Sequence, residues 1–243
     1  MLNQIKKDLA QLGDPEKAKN SRWFFKTGKG QYGEGDIFLG IPVPEQRKVA
    51  KKYADLSLVD IQELLNSEIH EHRFTALVIL ISKYQKTEET GKKEIFDFYL
   101  KNTENINNWD LVDLSAPRIV GDYLLNRERS ILYKLAKSDS LWERRISILS
   151  TFTFIDNNDF RDALNISESL LHDKHDLIHK AVGWALREIG KRDQNLEEQF
   201  MVKHYFYMPR TMLQYAIEKF DEKKRKKYLN KKEFRKVKHL NTQ

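Results

Sequence analysis

The residues best suited to chemistry lie in the stretch NNWDLVD, from Asn107 to Asp113. Trp109 precedes Asp113 by four residues, and positions four apart share one face of a helix, so an indole and a carboxylate would stand side by side. A carboxylate can stabilise developing positive charge or orient a water molecule, and an indole face attracts cations. The alternative is a helix start, with Asn107 or Asn108 as the N-cap and the acids near the positive end of the helix dipole.

The composition narrows the class of protein and of partner. The 243 residues carry a formal net charge of +7, which favours a polyanionic partner. There is no cysteine, which excludes disulfides, thiolate nucleophiles, Cys-ligated zinc and iron–sulfur clusters. The apolar run FTALVILISKY is too short to span a bilayer and is flanked by charge, so we expect no membrane segment. The absence of cysteine fits a reducing cytoplasm, so we expect a cytoplasmic protein.

Helical patterns cover nearly the whole chain. The stretch LNQIKKDLAQL has apolar residues at helical spacing and ends at Gly13. Asp14 and Pro15 form an N-cap followed by a first-turn proline, and Ser57 is placed to cap LVDIQELLN. The stretch EHRFTALVILISKY is apolar almost all round, which predicts a buried helix. Two further prolines open helices: Pro44 begins PEQRKVAKKYADL, and Pro209 begins the last apolar helix.

The segment from Phe24 to Ile41 interrupts the helical pattern. It contains five glycines around Tyr32, which predicts two short strands joined by a Gly-rich turn, a small β-hairpin near the N-terminus. Within it, GKGQYG has the form G-x-G-x-x-G of a dinucleotide-binding loop, but no parallel-strand unit surrounds it. We therefore do not interpret it as a phosphate-binding loop.

A weak internal repeat organises the helices. Arg73, Arg145 and Lys180 each precede an apolar run with small residues, and the second and third are one repeat of about 35 residues apart. This pattern predicts an all-α solenoid of HEAT-like helix pairs in one domain, residues 1–243, with a basic tail over about 221–243. A generic helical bundle is the alternative. If the second helix of each pair lines the concave face, one basic groove would collect these side chains: Trp109, Asp113, Arg145 and Trp184.

Four segments together resemble one protein family: FLGIPVPEQRK, NNWDLVD, LWERRISILSTF and KAVGWALRE. They are similar to the AlkD family of HEAT-like-repeat DNA alkylation repair proteins, and the similarity runs from SRWFF to REIGKR. The resemblance implies a right-handed solenoid that cradles duplex DNA and hydrolyses the N-glycosidic bond of cationic N3- or N7-alkylated purines. It implies that this happens without the base entering a pocket and without a metal or organic cofactor. The Gly-rich hairpin would mark a related branch in which it touches DNA.

The resemblance also implies roles for individual residues. The active-site aspartate corresponds to Asp113, the two indoles to Trp109 and Trp184, and the catalytic-site arginine to Arg145. We expect a monomer that binds duplex DNA carrying alkylated bases and that is nucleoid-associated when bound to DNA. The expected contacts to DNA are Lys26, Lys29, Tyr32, Arg47, Arg73, Arg144, Lys180 and Arg187.

Several alternatives remain open at this stage. A non-catalytic protein that recognises duplex or branched DNA would share the same basic groove, and a protein-interaction scaffold is the commonest role of HEAT-like solenoids. The lysine-rich tail could bind DNA phosphates through counterion release, or it could be a soluble, fraying chain end. His175 and His179 are four residues apart, a spacing that could bind metal, but they lack the glutamate of H-E-x-x-H, and we interpret them as surface histidines.

Overall fold

Helices form the secondary structure of the computed structural model, which describes residues 1–230. The all-α class predicted from the sequence is confirmed over this range. The chain divides into two compact units, with unit 1 over Met1–Tyr123 and unit 2 beginning at Leu124. The single domain over 1–243 and the solenoid arrangement stay predictions.

Unit 1 packs its helices around α5, whose buried face is unusually wide. Twelve of the 17 residues of α5 are buried, so the prediction of a buried helix is confirmed. Helices α3, α4 and α7 all pack against it. A turn of 3₁₀ helix, Thr103–Asn105, precedes α7, and a π-helical turn, Pro117–Gly121, follows it. The helices are α1 (Leu2–Gln11), α2 (Pro15–Phe24), α3 (Val43–Lys52), α4 (Leu58–Leu65), α5 (His70–Lys86), α6 (Glu89–Lys101) and α7 (Trp109–Ala116). The single turn α8 (Asp122–Leu124) runs across the boundary to unit 2.

The helix starts of unit 1 follow local sequence rules. The Asp14 carboxylate accepts the backbone N–H groups of Glu16 and Lys17, and Ser57 accepts that of Asp60, so both predicted N-caps are confirmed. The helix expected at Pro44 begins one residue earlier. These caps satisfy N–H groups that have no partner inside the helix, which is why such short helices begin at defined residues.

The predicted β-hairpin between Phe24 and Ile41 is wrong. Tight turns occupy this segment instead: Gln31 N–H donates to the Gly28 carbonyl at 3.0 Å, and Glu34 N–H donates to the Gln31 carbonyl at 3.1 Å. A side chain accepts a further backbone hydrogen bond, which Gly30 N–H donates to the Glu34 carboxylate at 2.7 Å. Backbone groups bonded locally in this way cannot form a strand ladder.

The end of this segment is fixed by residues some 30 positions away. Glu71, in the first turn of α5, accepts the N–H groups of Leu39, Gly40 and Ile41. Gly40 has a φ of 81°, and a Cβ there would lie 2.2 Å from the Asp14 carbonyl oxygen, so only glycine suits the position. Within residues 1–230, an isolated parallel bridge replaces the sheet, and it too reaches α5: it joins Ile37 to Ile69.

Unit 2 is built around α12, which packs against α10, α11, α13 and α14. Its Gly183 allows a close approach to α14, because a Cβ there would lie 2.4 Å from the Met212 carbonyl oxygen. The helix expected at Pro209 is confirmed, with Pro209 as its N-cap residue. A 3₁₀ turn, Ile217–Lys219, lies near the end. The helices are α9 (Ser130–Leu135), α10 (Leu141–Asp156), α11 (Arg161–Ser169), α12 (Asp176–Gly190), α13 (Gln194–His204), α14 (Arg210–Ala216) and α15 (Glu222–Leu229).

Two further predictions concern the basic C-terminal tail and membrane-spanning segments. The first part of the basic tail forms α15, and the remainder, residues 231–243, lies outside the described residues. Among the helices over 1–230, none combines the length and the apolar character needed to cross a bilayer.

Candidate functional site

The start of α7 presents the indole and the carboxylate singled out from the sequence. Asn108 is buried and its side-chain oxygen caps the helix by accepting Trp109 N–H at 2.9 Å. Trp109 and Asp113 are both partly buried and one helical turn apart, so they share a face of α7. Burial raises the pKa of the Tyr99 hydroxyl, and the negative charge of Asp113 raises it further. The stretch is therefore a helix start capped by Asn108, which also places Trp109 and Asp113 on one face, and a chemical role for that face stays a prediction.

A stack of aromatic rings holds the Trp109 indole. The indole stacks on Phe25 with ring centroids 5.3 Å apart, and Phe25 stacks on Phe38 at 5.0 Å. Phe38 in turn stacks on the imidazole of His70 at 4.6 Å. Rings stacked in this way limit each other's rotation, so the indole orientation is fixed from the interior of unit 1.

A buried charge network begins where that stack ends. The imidazole of His70 is 2.8 Å from Asp110 through Nε2 and 3.1 Å from Asp36 through Nδ1. Asp36 also accepts a 2.5 Å bond from the Arg73 guanidinium and a 3.2 Å bond from the Asn108 amide. The network therefore ties the loop before α3 to α5 and to the residue that caps α7.

The two carboxylates set the charge of His70. Burial by itself would lower the pKa of His70, but the charge of Asp110, together with hydrogen bonds to Asp110 and Asp36, raises it to about 9. Burial also raises the pKa of Asp36, yet His70 and Arg73 outweigh it and hold that pKa below its usual value. The network is thus a buried imidazolium and guanidinium neutralised by two carboxylates, with both imidazole nitrogens donating.

We expect the stability of unit 1 to decline as the pH rises from 6.5 to about 9. The folded pKa of His70 lies above its unfolded value, so its contribution is complete below pH 6.5 and is lost as the pH rises through about 9. The loss is about 3 kcal/mol at most. Urea unfolding of wild type and His70→Gln at pH 6 and pH 9.5 measures it, and the variant should show the smaller decline. Burial also raises the pKa of Glu197, to about 8, but Glu197 is present in both proteins, so its effect cancels when their declines are compared. Equal declines would contradict the prediction.

Sequence reasoning missed this network and misassigned Arg73. Arg73 was expected at the DNA, but only 3% of its surface is exposed, and its guanidinium binds Asp36 and the Ser67 carbonyl. That burial corrects the prediction for Arg73, which holds unit 1 together instead. A signal for the network was present in the sequence: charged residues in an otherwise apolar helix, HEHRFTALVIL, need buried partners.

Unit 2 contains the other two residues of the predicted catalytic set. Arg145 is 5% exposed, and its Nη1 donates to the Leu177 carbonyl at 2.5 Å, next to the start of α12. Trp184, on α12, is partly buried; its Nε1 donates to Glu188 at 3.0 Å and its ring meets Phe152 edge to face. The guanidinium of Arg145 therefore supports the helix that carries Trp184, and this burial corrects the expectation that Arg145 contacts the substrate itself. Convergence of these two residues with Trp109 and Asp113 stays a prediction.

The remaining predicted DNA contacts differ in accessibility. Lys26, Lys29 and Arg47 are exposed, and Tyr32 is partly buried. Three partly buried cations of unit 2 instead have carboxylate partners on the same unit. The pairs are Arg144 with Asp173 at 2.6 Å, Lys180 with Asp176 at 2.7 Å, and Arg187 with Glu188 and Glu218. A phosphate would have to compete with these carboxylates. Within residues 1–230, Lys26, Lys29 and Arg47 form no ion pair with a carboxylate that a phosphate would have to displace.

The histidine pair has structural roles. His175 caps α12 by accepting Leu177 N–H at 3.1 Å, and His179 bonds the Asp173 carbonyl at 2.6 Å. Across residues 1–230, no group of three or more His, Asp or Glu side chains is arranged to hold a metal ion.

Comparison with known proteins identifies similar chains. The family described as DNA alkylation repair enzyme matches residues 5–220. A solved structure described as a predicted DNA alkylation repair enzyme from Enterococcus faecalis superposes with a TM-score of 0.68 at 16% identity, covering 86% of this chain and 97% of that one. AlkD2 from Streptococcus mutans superposes at 0.53 and 17% identity, covering 90% and 97%, and smu.31 from S. mutans UA159 at 0.52 and 17%, covering 91% and 96%. No curated protein matches.

Proposed function

This chain belongs to the DNA alkylation repair enzyme family, and from that premise we propose that it hydrolyses the N-glycosidic bond of cationic N3- or N7-alkylated purines in duplex DNA. Family membership confirms the resemblance of the sequence motifs and makes DNA the substrate class. The glycosylase reaction and the cationic lesions are our proposal. The observation that carries it is the shared face of Trp109 and Asp113 at the start of α7, held in place from the core of unit 1.

The proposed substrate determines what the enzyme must supply. Alkylation at N3 or N7 leaves a positively charged base that departs without protonation. The remaining barrier is the positive charge that develops on the deoxyribose as the bond breaks, as in glycoside hydrolysis. An acid group for the leaving base is therefore unnecessary, and an anionic group facing C1′ becomes the main requirement.

Asp113 and Trp109 match this requirement in charge and position. In our proposal, the Asp113 carboxylate faces C1′, stabilises the developing cation and orients the attacking water. The indole of Trp109 packs on the sugar and adds a cation–π attraction of about 0.5–2 kcal/mol. The imidazolium of His70 is buried behind the indole, so it positions the site and does not reach the substrate.

The remaining residues and the architecture have secondary roles in the proposal. Trp184 is the second indole, and Arg145 acts as a positioning residue through the start of α12. The exposed cations Lys26, Lys29 and Arg47 bind backbone phosphates through counterion release. We further propose that the helix pairs form a HEAT-like solenoid and that the protein acts as a monomer without a cofactor.

A panel of lesions tests the proposed reaction. Duplexes that carry one 7-methylguanine, one 3-methyladenine or one uracil are incubated with the protein, and alkali reveals the abasic sites. We expect strand cleavage at the two cationic purines and none at uracil, because the proposed site supplies no proton to a neutral leaving group. Efficient uracil release would contradict the mechanism. Salt-sensitive binding without any release would favour the non-catalytic DNA-binding alternative, and no binding would favour a scaffold.

A further inference from the structure

A patch of exposed aromatic rings lies at the C-terminal end of α2. Trp23 is 75% exposed and Phe24 is 54% exposed, although rings of this size normally bury most of their surface. Phe24 meets the Trp109 indole edge to face, with centroids 5.8 Å apart. The exposed patch therefore continues onto the indole that we assign to the sugar, and all three rings belong to unit 1.

The chain segment that carries Trp23 and Phe24 is positively charged. Residues 19–30 contain four lysines or arginines and no acidic residue. One of them, Lys26, has its Nζ 4.7 Å from the centroid of the Trp23 ring. A cation over an aromatic ring, beside further cations, matches a ligand that combines a flat π-system with a phosphate chain. Charge complementarity thus favours a nucleic acid over an apolar protein surface.

We propose that Trp23 and Phe24 form a stacking platform for a nucleobase that has left the base-paired stack next to the proposed site. The DNA partner in this inference rests on the proposed function. A paired base offers its faces to its neighbours in the duplex, whereas an unpaired base can stack on an exposed indole. Lys26 lies over one face of the Trp23 ring, so the base would stack on the opposite face while the ammonium meets the adjoining phosphate.

An unpaired base is also what the proposed reaction creates. When a purine is removed, the pyrimidine opposite loses its pairing partner and can leave the stack at little cost. Stacking on Trp23 would hold this orphan base while the abasic strand stays near Trp109. The platform would therefore recognise the product more tightly than intact duplex.

Fluorescence anisotropy with two labelled duplexes tests the platform. One duplex is fully paired, and the other carries a tetrahydrofuran abasic analogue opposite thymine. We expect Trp23→Ala to weaken binding of the abasic duplex about tenfold and to leave the paired duplex nearly unchanged. Trp23→Phe should retain most of the preference, because it keeps a ring. Tyr207→Ala is the matched control, since Tyr207 is 65% exposed in unit 2 and should have no effect.

Two outcomes would overturn the inference. An equal loss on both duplexes would make Trp23 a general contact, and no loss on either would remove the patch from DNA binding. Neither outcome depends on base release. If the protein prefers abasic DNA through Trp23 but releases no 7-methylguanine, the platform is supported and the proposed reaction is contradicted. If it releases 7-methylguanine but Trp23→Ala has no effect on the preference for abasic DNA, the reaction is supported and the platform is contradicted.

Discussion

Asp113→Asn is expected to slow the single-turnover release of 7-methylguanine by about 10²–10³-fold. The change removes a negative charge where positive charge develops on the sugar, and it keeps the shape of the side chain. Affinity for undamaged duplex should stay the same or increase, because a carboxylate near phosphates repels them. Quench-flow or manual sampling with protein in excess over DNA measures the rate, and anisotropy measures the affinity.

A matched control separates chemistry from helix stability. Asp97→Asn also removes one aspartate charge, but from an exposed pair with Lys93 on α6. Both side chains are exposed to solvent, which weakens their attraction, so the control should keep both its stability and its rate. If Asp113→Asn releases base at the wild-type rate, Asp113 is only a residue of the helix start.

Asp36→Asn should cost about 3–5 kcal/mol of the free energy of unfolding. Asp36 neutralises Arg73 and His70 inside unit 1, so its loss leaves two buried cations with the single carboxylate of Asp110. The asparagine would also replace one carboxylate oxygen with an NH₂ group, which cannot accept a hydrogen bond from the donors around Asp36. Urea unfolding at pH 6, where His70 is charged, gives the difference, with Asp97→Asn again as the surface control.

The same variant links the network to the site. Asp36 accepts a bond from Asn108, the cap of α7, so the helix that carries Trp109 and Asp113 should become less well fixed. We expect release of 7-methylguanine to slow even at temperatures where the protein stays folded. If Asp36→Asn lowers the free energy of unfolding no more than Asp97→Asn does, the buried network does not stabilise the protein as proposed.

The features that could be predicted from the sequence are those set by near neighbours. The caps at Asp14, Ser57 and Asn108 involve bonds over one to three residues, and the shared face of Trp109 and Asp113 follows from helix periodicity alone. Family-specific motifs then supplied the substrate class, which neither composition nor periodicity could provide.

The features that were missed depend on distant partners. The Gly-rich segment matched a hairpin locally, but its end is fixed by residues more than 30 positions later: Glu71 in α5 and Ile69, the N-cap residue of α5. Arg73 looked like a surface cation by its repeat position, yet a carboxylate from residue 36 neutralises it in the core. Pairings of this kind are set by the tertiary fold, and spacing in one sequence does not encode them.

Mass-spectrometric detection of the free base tests the central claim most directly. Methylated duplex DNA is incubated with wild type or Asp113→Asn, the polymer is removed, and the supernatant is assayed for 7-methylguanine and 3-methyladenine. The proposal predicts both free bases with wild type and release slowed by about 10²–10³-fold with the variant. Wild-type protein that binds the methylated duplex and releases neither base would contradict it.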